Sequence, residues 1–385
     1  MINVAVVGTG GISGAHLEGY LRFPDRCRVV ALCNRNVSKA EAVRDSLGLD
    51  AEVFSSYEDL LGHDVDLVSI CTPPSTHAQM AVDLLDAGKA VLLEKPMAPS
   101  LLECDAMLEA QRRSGAVLSV VAQNRFRDDM DLLKHAVDSG LIGPVASVRV
   151  ESAWWRGLPY YDLNWRGTWA SEGGGPTLNH AVHHVDLLLW LMGAPTAVMA
   201  MMTNAWHDNS EVEDLSVALL RYERAIAQLT SSVVHHGQRQ EIVVQGRDAS
   251  VAQPWAVAAE TAGPGGFPDP DGDPGRVELL EALARGRDPL PHTGHAAQIL
   301  DVLDAIDEGR APAVTGEDGR LGLEVITAIY QSAIEQRLVE LPIPAESQYY
   351  TTAGVLESAP RYFQKTRSVA ADEGVVSFHP TRGRN

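Results

Sequence analysis

The chain opens on a β-branched run, Asn3 to Val7, that ends in Gly8-Thr9-Gly10-Gly11-Ile12-Ser13, after which Ser13 to Leu21 has the composition of a helix. Few folds accept that order of strand, glycine turn and helix. Gly8 allows the tight turn, Gly10 lets the backbone approach a pyrophosphate at the helix N-terminus, and Ser13 stands where a third glycine usually permits close helix packing. Alone, the match is weak. It gains force from the next hundred residues, in which Arg28 to Cys33, Asp66 to Cys71, Ala90 to Leu93 and Val117 to Val121 read as strands. Ser38 to Leu47, Thr76 to Ala87 and Leu101 to Ser114 read as the helices between them. Parallel strands need crossover helices, so residues 1–124 predict a doubly wound α/β Rossmann domain with a dinucleotide across its carboxyl edge.

The strand ends along that edge supply the candidate cofactor contacts. Gly8, Gly10, Gly11, Ile12 and Ser13 form the phosphate turn. The second strand ends in Asn34-Arg35-Asn36, where a carboxylate for a ribose diol or cations for a 2′-phosphate are expected. Asn34 can hydrogen-bond a ribose and Arg35 can clamp a phosphate or stack on adenine, so NAD and NADP both remain open. The next strand ends in the rigid turn Cys71-Thr72-Pro73-Pro74-Ser75-Thr76-His77, which puts Thr72 and Pro73 at the edge. His77 is read either as a neutral ring facing the cofactor or as a plain surface residue. Glu94-Lys95-Pro96 closes the strand after that. A lysine there sits where ligands bind, its pKa can fall, and it can hydrogen-bond a substrate oxygen; the alternative is a solvated lysine paired with Glu94.

A second stretch, Gly173 to Asp186, reads GGGPTLNHAVHHVD. Pro176 suits the first turn of a helix after three glycines, and Leu178, Val182, Val185 and Leu189 mark its core face. Asn179 and His183, four residues apart, fall on another strip and can form part of an acid/base site. The plainer reading is a structural histidine and a capping amide.

At 385 residues the chain has room for two domains. A net charge of −20, from 31 basic and 51 acidic residues, opposes nucleic acid and anionic membranes. Cys27, Cys33, Cys71 and Cys104 fall in or beside apolar runs with no metal-ligand spacing, as in a reducing compartment. The start reads as a first strand rather than a signal peptide, and no apolar run is long enough to cross a bilayer. These features predict a cytoplasmic protein. No metal is expected: Asp269, Asp271 and Asp273 alternate like calcium ligands, but the glycine and distal glutamate of such a loop are misplaced, so Thr261 to Gly275 reads as a solvated acidic loop. His292 and His295 lack a third ligand in sequence and read as substrate contacts or helix caps.

Taken together, GTGGIS, CTPPSTH, EKP at 94–96, QNRF at 123–126 and GGGPTLNHAVHHVD resemble, in order and spacing, the Gfo/Idh/MocA oxidoreductases. The closing helix and LP ending within Ala297 to Pro342 fit as well. The resemblance implies a Rossmann domain followed by an α+β domain whose open, mainly antiparallel sheet often forms an oligomer interface. By analogy Lys95 binds the reacting hydroxyl or carbonyl, His183 is the acid/base, and Gln123 joins the cofactor set. Members commonly carry aspartate four residues before that histidine; this chain has Asn179, which cannot take up a proton but can position a substrate hydroxyl or the nicotinamide. His180 and His184 lie on other faces of the helix, His180 nearer the pocket.

The second domain, residues 125–345, begins with the strand Val145 to Trp155, and Val198 to Thr203, Leu215 to Arg221, Ala225 to Val234 and Gln240 to Gln245 continue its sheet. Between them Arg156 to Tyr161 and Asn164 to Trp169 mix aromatics with arginines, which suits a sugar pocket. Arg125, Tyr161 and Trp165 are the wall candidates; the alternative is a packed aromatic corner. Residues 346–385 have weak periodicity and read as an arm across a neighbouring subunit. The expected activity is NAD(P)-dependent hydride transfer at a secondary hydroxyl of a sugar, sugar derivative or cyclitol, by a homodimer or homotetramer. The other readings are a non-catalytic cofactor-binding regulator, or an enzyme recycling a tightly held cofactor between two sugars.

Overall fold

The computed structural model describes residues 1–369. Its first sheet is parallel and six-stranded: β1 (Ile2–Val7), β2 (Cys27–Cys33), β3 (Glu52–Phe54), β4 (Leu67–Ile70), β5 (Ala90–Leu93) and β6 (Leu118–Val120), in the order β3-β2-β1-β4-β5-β6. β4, β5 and β6 are buried along their whole lengths, which is what helices on both faces of a parallel sheet produce. The sequence misses only β3, an edge strand of three residues that leaves no periodic signal. The strand order reverses between β1 and β4, and a crevice opens at such a switch point. Gly8 makes the approach there: a Cβ on it would lie 2.7 Å from the Cys71 carbonyl oxygen, and its φ is +90°.

The second sheet holds β7 (Val145–Trp155), β8 (Ala197–Thr203), β9 (Leu215–Arg221), β10 (Ile226–Ser232), β11 (Val234–Gly246), β12 (Ser250–Gln253), β13 (Ala256–Ala258) and β14 (Val339–Glu340). Their order is β13-β12-β11-β7-β10-β9-β8-β14, antiparallel throughout except for β7 with β10. One face packs on the helices Val182–Met192 and Gly316–Glu335. The other leaves Met199, Met201, Val217, Leu219 and Ile226 exposed.

Late segments of the chain return to the first sheet. The helix Gly294–Glu308 buries Ile299, Val302 and Leu303 in one cluster with Val4 and Leu17. Its Gln298 accepts from the Ala122 amide at 2.9 Å and donates to Val120 O at 2.8 Å, tying it to the end of β6. An unexpected helix, Pro274–Arg285, follows the acidic loop, and Asp273 caps it by accepting from the Arg276 amide. Among the described residues no helix is long and apolar enough to cross a membrane. All four cysteines are buried and unpaired.

Residues 346–369, expected as an arm across a neighbour, pack on their own chain. Trp169 Nε1 donates to Pro360 O at 2.7 Å, Lys365 Nζ to Leu163 O at 3.0 Å, and Val369 bridges Leu163. The segment thus clamps the loop that carries Arg166; the rest of the expected arm, 370–385, lies outside the described residues.

Candidate active site

The glycine turn is fixed by a buried carboxylate. Glu213 accepts from the Gly175 amide at 3.0 Å, the Thr177 amide at 3.2 Å and the Tyr330 hydroxyl at 3.1 Å. A Cβ on Gly175 would collide with the Glu213 backbone oxygen, and one on Gly174 with the Tyr330 hydroxyl, so both glycines are sterically required. Burial pushes the Glu213 carboxyl up to about 7 against the hydrogen bonds that lower it.

The helix expected from Pro176 onward is interrupted. Pro176–Asn179 ends, His180 and Ala181 both donate to Pro176 O (3.0 and 2.8 Å), and Val182–Met192 then resumes. The five-residue bond from Ala181 widens one turn, a distortion that re-aims side chains. Asn179 Nδ2 donates to Gly174 O at 2.7 Å and Gly175 O at 3.2 Å, which leaves its Oδ1 as the free end. His180 Nε2 lies 3.4 Å from the Tyr160 hydroxyl. His183 makes no hydrogen bond or ion pair among the described residues. Burial, followed by the charge of Lys95, holds it well below the ordinary imidazole value, so it is neutral near pH 7. His184 points to the core, and burial pushes it down to about 4.

Lys95 stands at the end of β5 and lines one small cavity with His183, Asp186 and Asp318. Its ammonium has no hydrogen-bond or salt-bridge partner among the described residues, and burial lowers its pKa while Glu94 opposes the shift. The pairing with Glu94 read as an alternative is absent at the side chains: Glu94 Oε2 accepts from the Lys95 backbone amide at 3.1 Å. Glu94 Oε1 instead meets His16 Nε2 at 3.0 Å and His295 Nε2 at 3.6 Å. Burial alone would raise this carboxyl, but the two imidazoles and Lys95 hold it well below the usual carboxylate range. His295 is thus neither a cap nor a lone histidine. Its third partner in space, His16, sits on the first helix, and the three sets of ligand atoms lie within 4.8 Å of one another. His292 packs edge-on to Phe23.

His77 departs from both expectations. It is fully buried, with Nε2 2.8 Å from Thr72 O and Nδ1 3.1 Å from Pro96 O, so it joins the two turns and does not face the crevice.

The wall expected from sequence is rearranged. Arg125 spends its Nε and Nη2 on Asp186 (2.9 and 2.6 Å) and Asp318 (3.2 Å), so its charge is already paired. Tyr161 is core, packed edge-on to His207. Trp165 is exposed and covered by the Arg166 guanidinium at 3.8 Å. The residues gathered around His180 are their neighbours Trp154, Arg156, Tyr160 and Arg166: Arg166 lies 4.2 Å over the Tyr160 ring, and Trp154 lies 6.0 Å from the His180 ring. Arg166 pairs with Glu172, which also accepts from the Gly167 amide at 2.8 Å.

The first crevice fits a dinucleotide on three observations. Gly8 supplies the close strand approach, Gly10 has nothing within 4 Å of where a Cβ would stand, and Gln123 holds a buried Oε1 with no partner. Ser13 Oγ closes the turn on Gly10 O at 2.7 Å, ahead of the open N-terminus of the helix Ser13–Tyr20. Asn34 Nδ2 is bonded to Thr9 Oγ1 at 2.6 Å and its Oδ1 to the Asn36 amide at 2.9 Å, whereas Arg35 is exposed.

Comparison with known proteins agrees with this geometry. Residues 2–122 match the family described as oxidoreductase family, NAD-binding Rossmann fold, and residues 130–252 match the GFO/IDH/MocA C-terminal domain. A myo-inositol 2-dehydrogenase of Thermotoga maritima is 24% identical over 346 residues, covering 88% of this chain and 98% of that protein. An inositol 2-dehydrogenase of Rhizobium meliloti is 26% identical over 353 residues, covering 88% and 99%. The WlbA dehydrogenase from Bordetella pertussis, solved in complex with NADH and UDP-GlcNAcA, superposes with a TM-score of 0.74 at 29% identity, over 89% of this chain and 99% of that one. With both domains matched in order, the chain belongs to the Gfo/Idh/MocA family of NAD-binding Rossmann-fold oxidoreductases.

Proposed function

We propose that this protein is an NAD(P)-dependent dehydrogenase of a secondary hydroxyl on a sugar, sugar derivative or cyclitol, with Lys95 and His183 as its catalytic pair. The observation that carries the assignment is that both groups line one cavity and neither has a protein partner among the described residues. An unpartnered ammonium and a neutral imidazole complement an alcohol that must lose a proton. In the oxidative direction His183 accepts the hydroxyl proton, Lys95 donates a hydrogen bond to the same oxygen, and Asn179 Oδ1 positions the ring. When bound, NAD(P)+ supplies the hydride acceptor at nicotinamide C4. The phosphate turn from Gly8 to Ser13, with Asn34, Arg35, Thr72, Pro73 and Gln123, would hold it.

Four unpaired buried thiols support a cytoplasmic setting. The apolar outer face of the second sheet supports a homodimer or homotetramer joined there. The test is nicotinamide absorbance with NAD+ and NADP+ separately over aldoses, glycosides, sugar acids and inositols. Lys95→Ala and His183→Ala should each lower kcat roughly a hundredfold or more at unchanged melting temperature. Near wild-type turnover in either variant overturns the assignment.

A further inference from the structure

The wall around Tyr160 carries more positive charge than a neutral ring requires, in a chain whose net charge is −20. The guanidinium of Arg166 lies 4.2 Å from the Tyr160 ring centre and that of Arg156 lies 5.6 Å from it, also 5.5 Å from Trp154. Burial, then the charges of Arg156, Arg166 and Lys95, hold His180 well below its ordinary value, so it adds no charge but marks where the three fields meet. The acids nearby are already engaged. Glu172 answers Arg166, and Glu94 answers His16 and His295.

Arg156 has no carboxylate partner among the described residues. Its Nη1 donates to Trp155 O at 2.8 Å and to Gln238 Oε1 at 3.4 Å, and no carboxylate takes up the rest of its donor fork. Two buried donors beside it, Trp154 Nε1 and Arg166 Nε, have no acceptor. Buried donors normally find partners, and two buried donors without acceptors beside a half-buried guanidinium that meets no carboxylate call for an acceptor-rich group. A hydroxyl both donates and accepts. An ionised carboxylate only accepts, at about four lone-pair sites, and arginine presents its donors in the matching fork.

Building on the sugar or cyclitol reading above, we propose that the natural substrate bears an anionic oxygen group on its ring, and that Arg156, with Trp154 Nε1 and Arg166 Nε, is the site that recognises it. A ring carboxylate and a phosphate ester share this chemistry. The experiment is calorimetric titration of the NADH-saturated protein with D-glucuronate, D-glucose and D-glucose 6-phosphate, and with D-galacturonate and D-galactose. At least one anionic sugar should bind roughly tenfold or more tightly than its neutral parent, and whether uronate or phosphate leads identifies the group. Arg156→Ala should reduce that preference to less than about threefold, while Arg156→Lys, which keeps the charge but loses the fork, should fall between. Equal affinity for charged and neutral rings overturns the proposal, as does a preference that survives in Arg156→Ala or a failure of every anionic sugar to bind at millimolar concentration. Turnover of neutral sugars without anionic preference refutes this inference alone, whereas unaltered turnover in Lys95→Ala and His183→Ala refutes the reading beneath it.

Discussion

Replacing Asn179 by aspartate should weaken this protein, and the structure says by how much. Asn179 Nδ2 is held between two acceptors, Gly174 O at 2.7 Å and Gly175 O at 3.2 Å. An aspartate has no donor for either. Each lost bond costs about 1 kcal/mol net, and a half-buried carboxylate facing two carbonyl oxygens adds repulsion, so Asn179→Asp should cost about 2–3 kcal/mol. The same crowding raises the folded pKa of the new acid above its ordinary value of about 3.9. The sign follows from linkage: the penalty is complete above the folded pKa and shrinks as pH falls through it, because the protonated carboxyl can donate to Gly174 O. Thermal unfolding of wild type and variant at pH 8 and pH 5 measures both. A deficit of about 4 °C or more at the higher pH, narrowing on acidification, is expected. Equal melting temperatures, or a deficit that widens in acid, would refute the claim that the carbonyls fix this side chain.

Two further outcomes are expected from the same geometry. Gly8→Ala should lower the melting temperature, because its Cβ would lie 2.7 Å from Cys71 O, whereas Gly10→Ala, with open space around its Cβ, should leave stability unchanged and weaken NADH binding measured by fluorescence titration. Glu213, raised from 4.5 to about 7 by burial, contributes stability that is complete below pH 4.5 and is lost as pH rises through 7; Glu213→Gln should flatten that slope, worth at most about 3 kcal/mol, in denaturant melts between those pH values.

Much of the first layer is legible in the sequence because its constraints are local. Apolar runs bounded by turns place β1, β2, β4, β5 and β6 within a residue or so, since a strand buried on both faces reads as a nearly continuous apolar run. The features that escape are short or contextual. β12, β13 and β14 span four, three and two residues, and pair only because a longer neighbour is already in place. The helix Gly294–Glu308 is plain in sequence, but nothing local says that it crosses back to pack on the first sheet. His77 shows the same limit: its residue type suggests a switchable ring, while its role as a brace between the turns at Thr72 and Pro96 exists only once β4 and β5 are adjacent.

At the pocket wall the sequence points to the right stretch and to the wrong residues within it. Side chains alternate along a strand, so Trp154 and Trp155 at the end of β7 face opposite ways; Trp154 turns to His180, and Trp155 lies outside with Trp206 and His236. The same one-residue offset separates Tyr160, bonded toward His180, from Tyr161 in the core, and Arg166 from exposed Trp165. Period two, applied outward from the buried Val148 and Val150 of β7, selects Trp154 over Trp155. No such rule reaches Arg125, whose charge looks available until Asp186 and Asp318, sixty-one and one hundred and ninety-three residues away in the chain, arrive to neutralise it. A guanidinium donor is therefore a binding group only by subtraction, after every acceptor in reach has been assigned to it. Arg156 meets no carboxylate among the described residues, whereas Arg125 meets two, which is why the anionic-substrate proposal rests on Arg156.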